Sequence, residues 1–291
     1  MPLSDRVQRW RDAGEERVIA GRRIHVHRQR AHGPLIVFLH GFPSSSFDWR
    51  SVLELRPEWN ALAFDFLGFG LSEKPRDHVY SLGWQATLAE HLIIEEAGSG
   101  AVVVVAHDMG TSVATELMAR EIAGESRVTV GSALLFNGSI LLDRASPTIG
   151  QKLLRTRLGP VFAGLTNEPA FKRQFSGLFP PSHPLSGEEA ADQWALIAHD
   201  GGHRIAHRLI HYMDERERLT DRWHGAFRDW THPLHLAWGL QDPVATTSVL
   251  SGLRALRDCP LTELPELGHY PQLDDPGRIA DAIDRTAAAA D

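Results

Sequence analysis

Short apolar runs bounded by turn-forming residues recur at Leu35 to Leu39, Ala61 to Phe66, Val102 to Ala106, Ala133 to Phe136 and Leu234 to Trp238. A strand with continuous rather than alternating hydrophobicity is one covered on both faces. Helical patterns separate most of these runs. Ser81 to Ala97 opens on a serine able to cap its N-terminus and closes at Gly98, and Thr111 to Ala123 is followed by Gly124. Strands alternating with helices predict a mostly parallel sheet with right-handed crossovers. Upstream, Glu16 to Gln29 passes through Val18, Gly21-Arg22-Arg23, Ile24 and Val26, which predicts an antiparallel hairpin leading into that sheet. From Asn137 to about Asp229 the rhythm breaks. This stretch has no strand-like run, contains helix-compatible segments at Glu188 to His199 and His203 to Arg218, and is interrupted at Phe179-Pro180-Pro181. It predicts a helical insertion over the carboxyl edge of the sheet, giving a core of residues 1–137 and 230–291 and a cap of residues 138–229. Ala287 to Ala290 predicts a fraying final helix.

Composition narrows the function classes. A chain of 291 residues can bury a substantial core. Its 30 Lys plus Arg against 37 Asp plus Glu give a formal net charge of -7 with no long block of either sign, which argues against a nucleic-acid partner. The one cysteine, Cys259, has no partner for an intramolecular disulfide and no metal-ligand spacing. The N-terminus is studded with charges, and the longest aliphatic run, Val102 to Ala106, is too short to span a bilayer, so a soluble, cytoplasmic protein with no membrane partner is expected. His203, His207 and His211 suggest one helix face, but no third ligand accompanies them at a metal-binding spacing, so neither metal nor cofactor is expected.

The strongest chemical signal is Ala106-His107-Asp108-Met109-Gly110, between a valine-rich strand and a helix. This is the strand, tight turn, helix layout of a nucleophile elbow, with small residues flanking a reactive aspartate. Small flanks suit such a turn because its central residue is held in a strained conformation. A carboxylate favoured by the helix macrodipole is the competing reading. Three further segments bear on the choice. His40-Gly41-Phe42-Pro43 follows a strand where a second oxyanion N–H is supplied, Asp242 lies just after the Leu234 to Trp238 strand, and His269 lies in a loop before the last helix. Asp108, Asp242 and His269 thus follow the order nucleophile, acid, histidine.

The segments His40-Gly-Phe-Pro, Asp65-Phe-Leu-Gly-Phe-Gly-Leu-Ser-Glu-Lys-Pro75, His107-Asp108-Met-Gly, Gly239-Leu-Gln-Asp-Pro-Val and Gly268-His-Tyr-Pro-Gln-Leu-Asp-Asp-Pro276 are spread along the chain from position 40 to position 276. Together they resemble the epoxide-hydrolase and dehalogenase branch of the α/β hydrolases, in particular its mesoderm-specific-transcript-like subgroup. The resemblance implies an α/β class protein with the α/β-hydrolase fold: a mostly parallel central sheet flanked by helices, with a helical cap inserted.

An aspartate nucleophile narrows the substrate. Attack on an ester would give an anhydride no easier to cleave, whereas attack on a saturated carbon gives an ester that water can hydrolyse. Carboxylates are ionised at neutral pH, so the first step needs no base. His269, held by Asp242, is then expected to activate water, with the backbone N–H groups of Phe42 and Met109 binding the oxyanion. In the dehalogenases that the chain resembles, side-chain N–H donors after the nucleophile and in the His-Gly turn cradle the halide. Met109 and Phe42 offer none. An epoxide needs a proton donor instead, which the resemblance assigns to cap tyrosines, and Tyr212 falls where the second of these belongs. No tyrosine occupies Gln151 to Arg157, where the first belongs, and His183 or Trp194 are alternative donors. His40, His107, Trp194 and His183 are read as lining the pocket. The expected function is hydrolysis of a small apolar epoxide by water to a vicinal diol. Haloalkane or haloacid dehalogenation through Asp108 and a non-catalytic binding protein are the alternatives, and a homodimer is left open.

Overall fold

A computed structural model describes residues 3–289. Its eight strands form one sheet in the order β1-β2-β4-β3-β5-β6-β7-β8, comprising β1 (Glu15–Ile19), β2 (Arg22–Gln29), β3 (Leu35–Leu39), β4 (Asn60–Phe64), β5 (Ala101–His107), β6 (Thr129–Phe136), β7 (Leu234–Gly239) and β8 (Leu261–Leu264). β1 and β2 are the antiparallel hairpin that the alternating pattern predicts, joined through Ala20 (φ 49°) and Gly21 (φ 76°). Two consecutive left-handed residues give the turn whose twist matches paired strands. β2 pairs antiparallel with β4, and the remaining neighbours are parallel.

All five residues of β3 are buried because helices cover both faces of the sheet. Val37, Leu39, Val104 and Leu236 enter one apolar cluster, while Ile36, Phe38, Val103, Val105 and Ala237 enter the other. Each such side chain contributes about 1.5–3 kcal/mol of burial. The helix Leu82–Ala97 begins after Ser81, whose hydroxyl accepts from the Trp84 N–H, and ends at Gly98 (φ 59°), as its flanking residues predict. Two elements lack a sequence signal. The edge strand β8 buries only Leu264 fully, and helix Asp5–Ala13 buries only Val7 and Trp10.

Between β6 and β7 every regular element among the described residues is helical. Two expectations need correction. The segment from His203 to Arg218 is not one helix: a 3-10 stretch, His199–Ile205, contains left-handed Asp200 (φ 49°) and Gly201 (φ 73°), and helices Ala206–Leu209 and Tyr212–Arg218 follow. His203, His207 and His211 therefore fall on separate pieces. The stretch Thr220–Asp229, expected in the cap, packs along helix Met109–Ile122, with Trp223 Nε1 donating to Glu116 Oε2 (2.9 Å) and Phe227 fully buried in the core. It belongs to the layer against the sheet. The final helix, Pro276–Ala288, covers part of the alanine run, and Ala290 lies outside the described residues. No helix among the described residues is long and apolar enough to cross a membrane.

Candidate active site

The turn from β5 into helix Met109–Ile122 puts Asp108 at φ 45°, ψ -113°, a conformation that a non-glycine residue adopts only at a cost of order 1–3 kcal/mol. The surroundings fix it. The N–H and hydroxyl of Thr111 both donate to the Asp108 carbonyl, at 3.1 and 2.6 Å. A Cβ on Gly110 would stand 2.4 Å from the Leu39 carbonyl oxygen, and one on Gly41 2.7 Å from the Asp108 Cβ. Close approach thus requires glycine at 110, the small residue after the nucleophile position, and at 41 in the facing turn after β3.

Phe42 N–H donates to Asp108 Oδ2 at 2.9 Å. Asp108 Oδ1 accepts no hydrogen bond from the described residues. A guanidinium nitrogen of Arg216, 3.9 Å away, is its nearest cation. Met109, the other expected oxyanion donor, opens the helix directly after Asp108 with its side chain buried.

Asp242, in the loop after β7, is saturated with donors. Oδ1 accepts from the N–H groups of Val244 (2.7 Å) and Ala245 (3.0 Å), and Oδ2 accepts from Asn137 Nδ2 (2.8 Å) and His269 Nδ1 (2.7 Å). Burial alone would raise the Asp242 pKa, but the charge and hydrogen bond of His269, with Asn137 and the Val244 N–H, hold it below the ordinary carboxylate range. Burial likewise pushes the His269 imidazole down, and the charge and hydrogen bond of Asp242 together with the charge of Asp108 carry it above its usual value. Asn137, with φ 43°, also accepts from the Gly239 N–H through Oδ1 (2.8 Å) and donates to the Gly239 carbonyl (3.1 Å), locking the ends of β6 and β7 together.

Beside this set lies a cavity of ≈ 290 Å³, walled by Phe42, Gln151, Phe171, Trp194, Val244 and His269 among others. Of the four residues expected around the pocket, only Trp194 lines it. His40 is fully buried as a latch: Nδ1–H donates to the Gly41 carbonyl (2.8 Å), and Nε2 accepts from the Phe66 N–H (3.0 Å). His107 donates from Nε2 to the His269 carbonyl (2.7 Å) and accepts at Nδ1 from the Gln272 amide (3.2 Å), so it steadies the His269 backbone from behind. Burial, then the neighbouring His269, pushes His107 down to about 3, and it is neutral. His183 lies on a loop outside the cavity, beside the Ser182 hydroxyl. A histidine following an elbow strand offers no sequence signal that separates a latch from a pocket wall.

Tyr212, at the start of helix Tyr212–Arg218, is buried with its ring 5.7 Å from that of Phe42. Burial, then the Asp108 charge, raises its pKa and keeps it protonated, with Arg216 and Gln151 acting in the opposite sense. The other two tyrosines serve elsewhere. The Tyr80 hydroxyl donates to the Pro75 carbonyl (2.8 Å), and Tyr270 stacks on Phe179. Asn137, Gln151 and Arg216 are site residues that sequence reading missed. Only Arg216 had a signal, being one helical turn after Tyr212.

Comparison with known proteins agrees with this architecture. The alpha/beta hydrolase family matches residues 36–282. LipZ of Mycobacterium tuberculosis, provisionally named a hydrolase, is 50% identical over 280 residues, covering 96% of this chain and 97% of LipZ. The mesoderm-specific transcript homolog protein of Homo sapiens is 35% identical over 290 residues, covering 94% of this chain and 85% of that protein. Among solved structures, the haloalkane dehalogenase DbeA from Bradyrhizobium elkani superimposes with a TM-score of 0.80 over 95% of this chain and 98% of its own, at 24% identity, a likeness of fold. The chain belongs to the alpha/beta hydrolase family and is a hydrolase of the α/β fold.

Proposed function

We propose that the protein hydrolyses a small apolar epoxide to a vicinal diol through a covalent ester on Asp108. The observation that carries this reading is the unequal hydrogen bonding of the Asp108 carboxylate, with Oδ2 bound by the Phe42 N–H and Oδ1 free of hydrogen bonds from the described residues. Oδ1 attacks an epoxide carbon, the carbon–oxygen bond breaks, and the Tyr212 hydroxyl gives its proton to the leaving oxygen. His269, aligned by Asp242, then removes a proton from water as that water attacks the ester carbonyl. The developing charge falls on Oδ2, which accepts from the Phe42 N–H, and this reading assigns the Met109 N–H as the second donor, each such donor contributing roughly 3 kcal/mol in comparable sites. On collapse the leaving alkoxide takes the proton held by His269 and departs as the diol, and the proton left on the Asp108 carboxyl returns to the Tyr212 oxygen through solvent, so that both groups are regenerated.

The cavity lining supports a compact apolar substrate, since Phe42, Phe171, Trp194 and Val244 offer contact area and few charges. A halide leaving group would call for side-chain N–H donors at positions 42 and 109, where phenylalanine and methionine stand. The test is incubation with styrene oxide and a panel of small epoxides alongside brominated alkanes. Diol formation is expected without halide release. Halide release with no diol from any epoxide would replace this reading with dehalogenation.

A further inference from the structure

Arg216 has no part in the steps above, yet it is a buried cation at their centre. Its side chain is 4% exposed. Nε donates to Ser112 Oγ (2.9 Å), and Nη2 donates to the Asp108 carbonyl (3.2 Å) while lying 3.9 Å from Asp108 Oδ1. The guanidinium carbon stands 4.6 Å from the centroid of the Tyr212 ring. A buried ion is costly unless paired, and the Asp108 carboxylate is the anion paired with Arg216 among the described residues. At 3.9 Å the pairing compensates charge without occupying the lone pairs of Oδ1.

We propose that Arg216 is a positioning residue whose charge is matched by the Asp108 carboxylate before ring opening and by the Tyr212 oxygen after it, so that the buried cation is never left alone. The inference rests on the ester reading and deepens it. In the first step the bond from Oδ1 to carbon forms as the epoxide bond breaks, and the Tyr212 proton moves to the released oxygen. Asp108 becomes a neutral ester as Tyr212 becomes a tyrosinate. The negative charge has moved from one side of Arg216 to the other. The anchors on Ser112 and on the Asp108 main chain stay in place, because neither is consumed. A cation over an aromatic face is favourable even for the neutral ring, and more so for its anion. The groups that face Tyr212 are Asp108 from the elbow, Arg216 from its own helix, Gln151 and Arg155 from the cap, and Tyr270 nearby. Of these, Arg216 is the cation anchored on the nucleophile, while Arg155 is engaged by Asp214 and Glu217.

Two measurements test this. In a His269→Gln background, where the ester should accumulate, the rate of adduct formation with styrene oxide is followed by rapid quench and mass spectrometry. Arg216→Met should slow it about 10²-fold, as does loss of a preorganised electrostatic partner elsewhere, and Arg216→Lys should restore most of the rate. With His269 intact, decay of a preformed ester should change far less. The second measurement needs no substrate. Asp108→Asn, which mimics the neutral ester, should lower the midpoint of the Tyr212 tyrosinate absorbance by about one unit against the wild type. Tyr212→Phe identifies the signal, and adding Arg216→Met should raise the midpoint again, by more than the same substitution does where Asp108 is still charged. Should Arg216→Met fail to fold by circular dichroism, both measurements pass to Arg216→Gln, which removes the charge but keeps polar donors. Unchanged adduct formation in a folded variant, or equal titration with and without Arg216, overturns the proposal. An absence of any Asp108 adduct in every variant overturns the epoxide reading instead, leaving the titration to decide the role of Arg216.

Discussion

Two buried aspartates lie at the carboxyl edge of the same sheet, one after β5 and one after β7, and they are solvated in opposite ways. Asp242 receives four donors, two on each oxygen. Among the described residues the Asp108 carboxylate receives one, on Oδ2. A carboxylate whose lone pairs are filled can orient an imidazole and balance its charge, but it has little left with which to attack. A carboxylate with one oxygen that accepts no hydrogen bond from the described residues keeps its nucleophilicity. The backbone does not follow this division, since Asp108 (φ 45°) and Asn137 (φ 43°), a donor to Asp242, are both left-handed. Residue type alone assigns neither role. The number of donors is what supports the proposed division.

Substitutions can break this comparison, and the largest effect is expected from removing the bare oxygen. Asp108→Asn should lower diol formation by at least about 10⁴-fold, as losses of reacting groups do elsewhere, measured as initial rates on an active epoxide. His269→Gln should lower turnover about 10³-fold. It should also leave an adduct whose mass is that of protein plus epoxide, located on the peptide containing Asp108. Tyr212→Phe should cost about 10²-fold in ring opening, with ester decay nearly unchanged, read from single-turnover traces. The smallest effect belongs to the saturated side. Asn137→Ala removes a donor to Asp242 and the bonds to Gly239, which should cost about 1–3 kcal/mol in denaturant unfolding. Its pH dependence sharpens the contrast. Asp242 has a depressed folded-state pKa, so it contributes stability above the unfolded value near 3.9, which is lost as pH falls through the folded value. With Asn137 gone the depression is smaller, and acid unfolding should begin at higher pH.

The sheet and the elbow were legible in the sequence because their requirements are local. Val102 to Ala106 must be covered on both faces, and Gly110 must lack a side chain where it meets the Leu39 carbonyl. Asp242 and His269 were legible through chain order. What escaped depends on contacts between residues far apart in sequence. Arg216 reaches Ser112 across 104 positions and Asn137 reaches Asp242 across 105, and no periodicity encodes either. The breaks at Ile205 and between Leu209 and Tyr212 were hidden because the residues there are compatible with helix. The core-packed helix Thr220–Asp229 looked like cap because its amphipathic pattern does not say which surface its buried face meets.

The central claim is that the bare oxygen of Asp108 enters the product and is replaced from water. Single turnover of excess enzyme in heavy-oxygen water tests it most directly. The first diol released should carry no label while one heavy oxygen appears in the Asp108 carboxylate. A labelled diol in the first turnover, with Asp108 unlabelled, would mean that water attacks the substrate itself and would contradict the account.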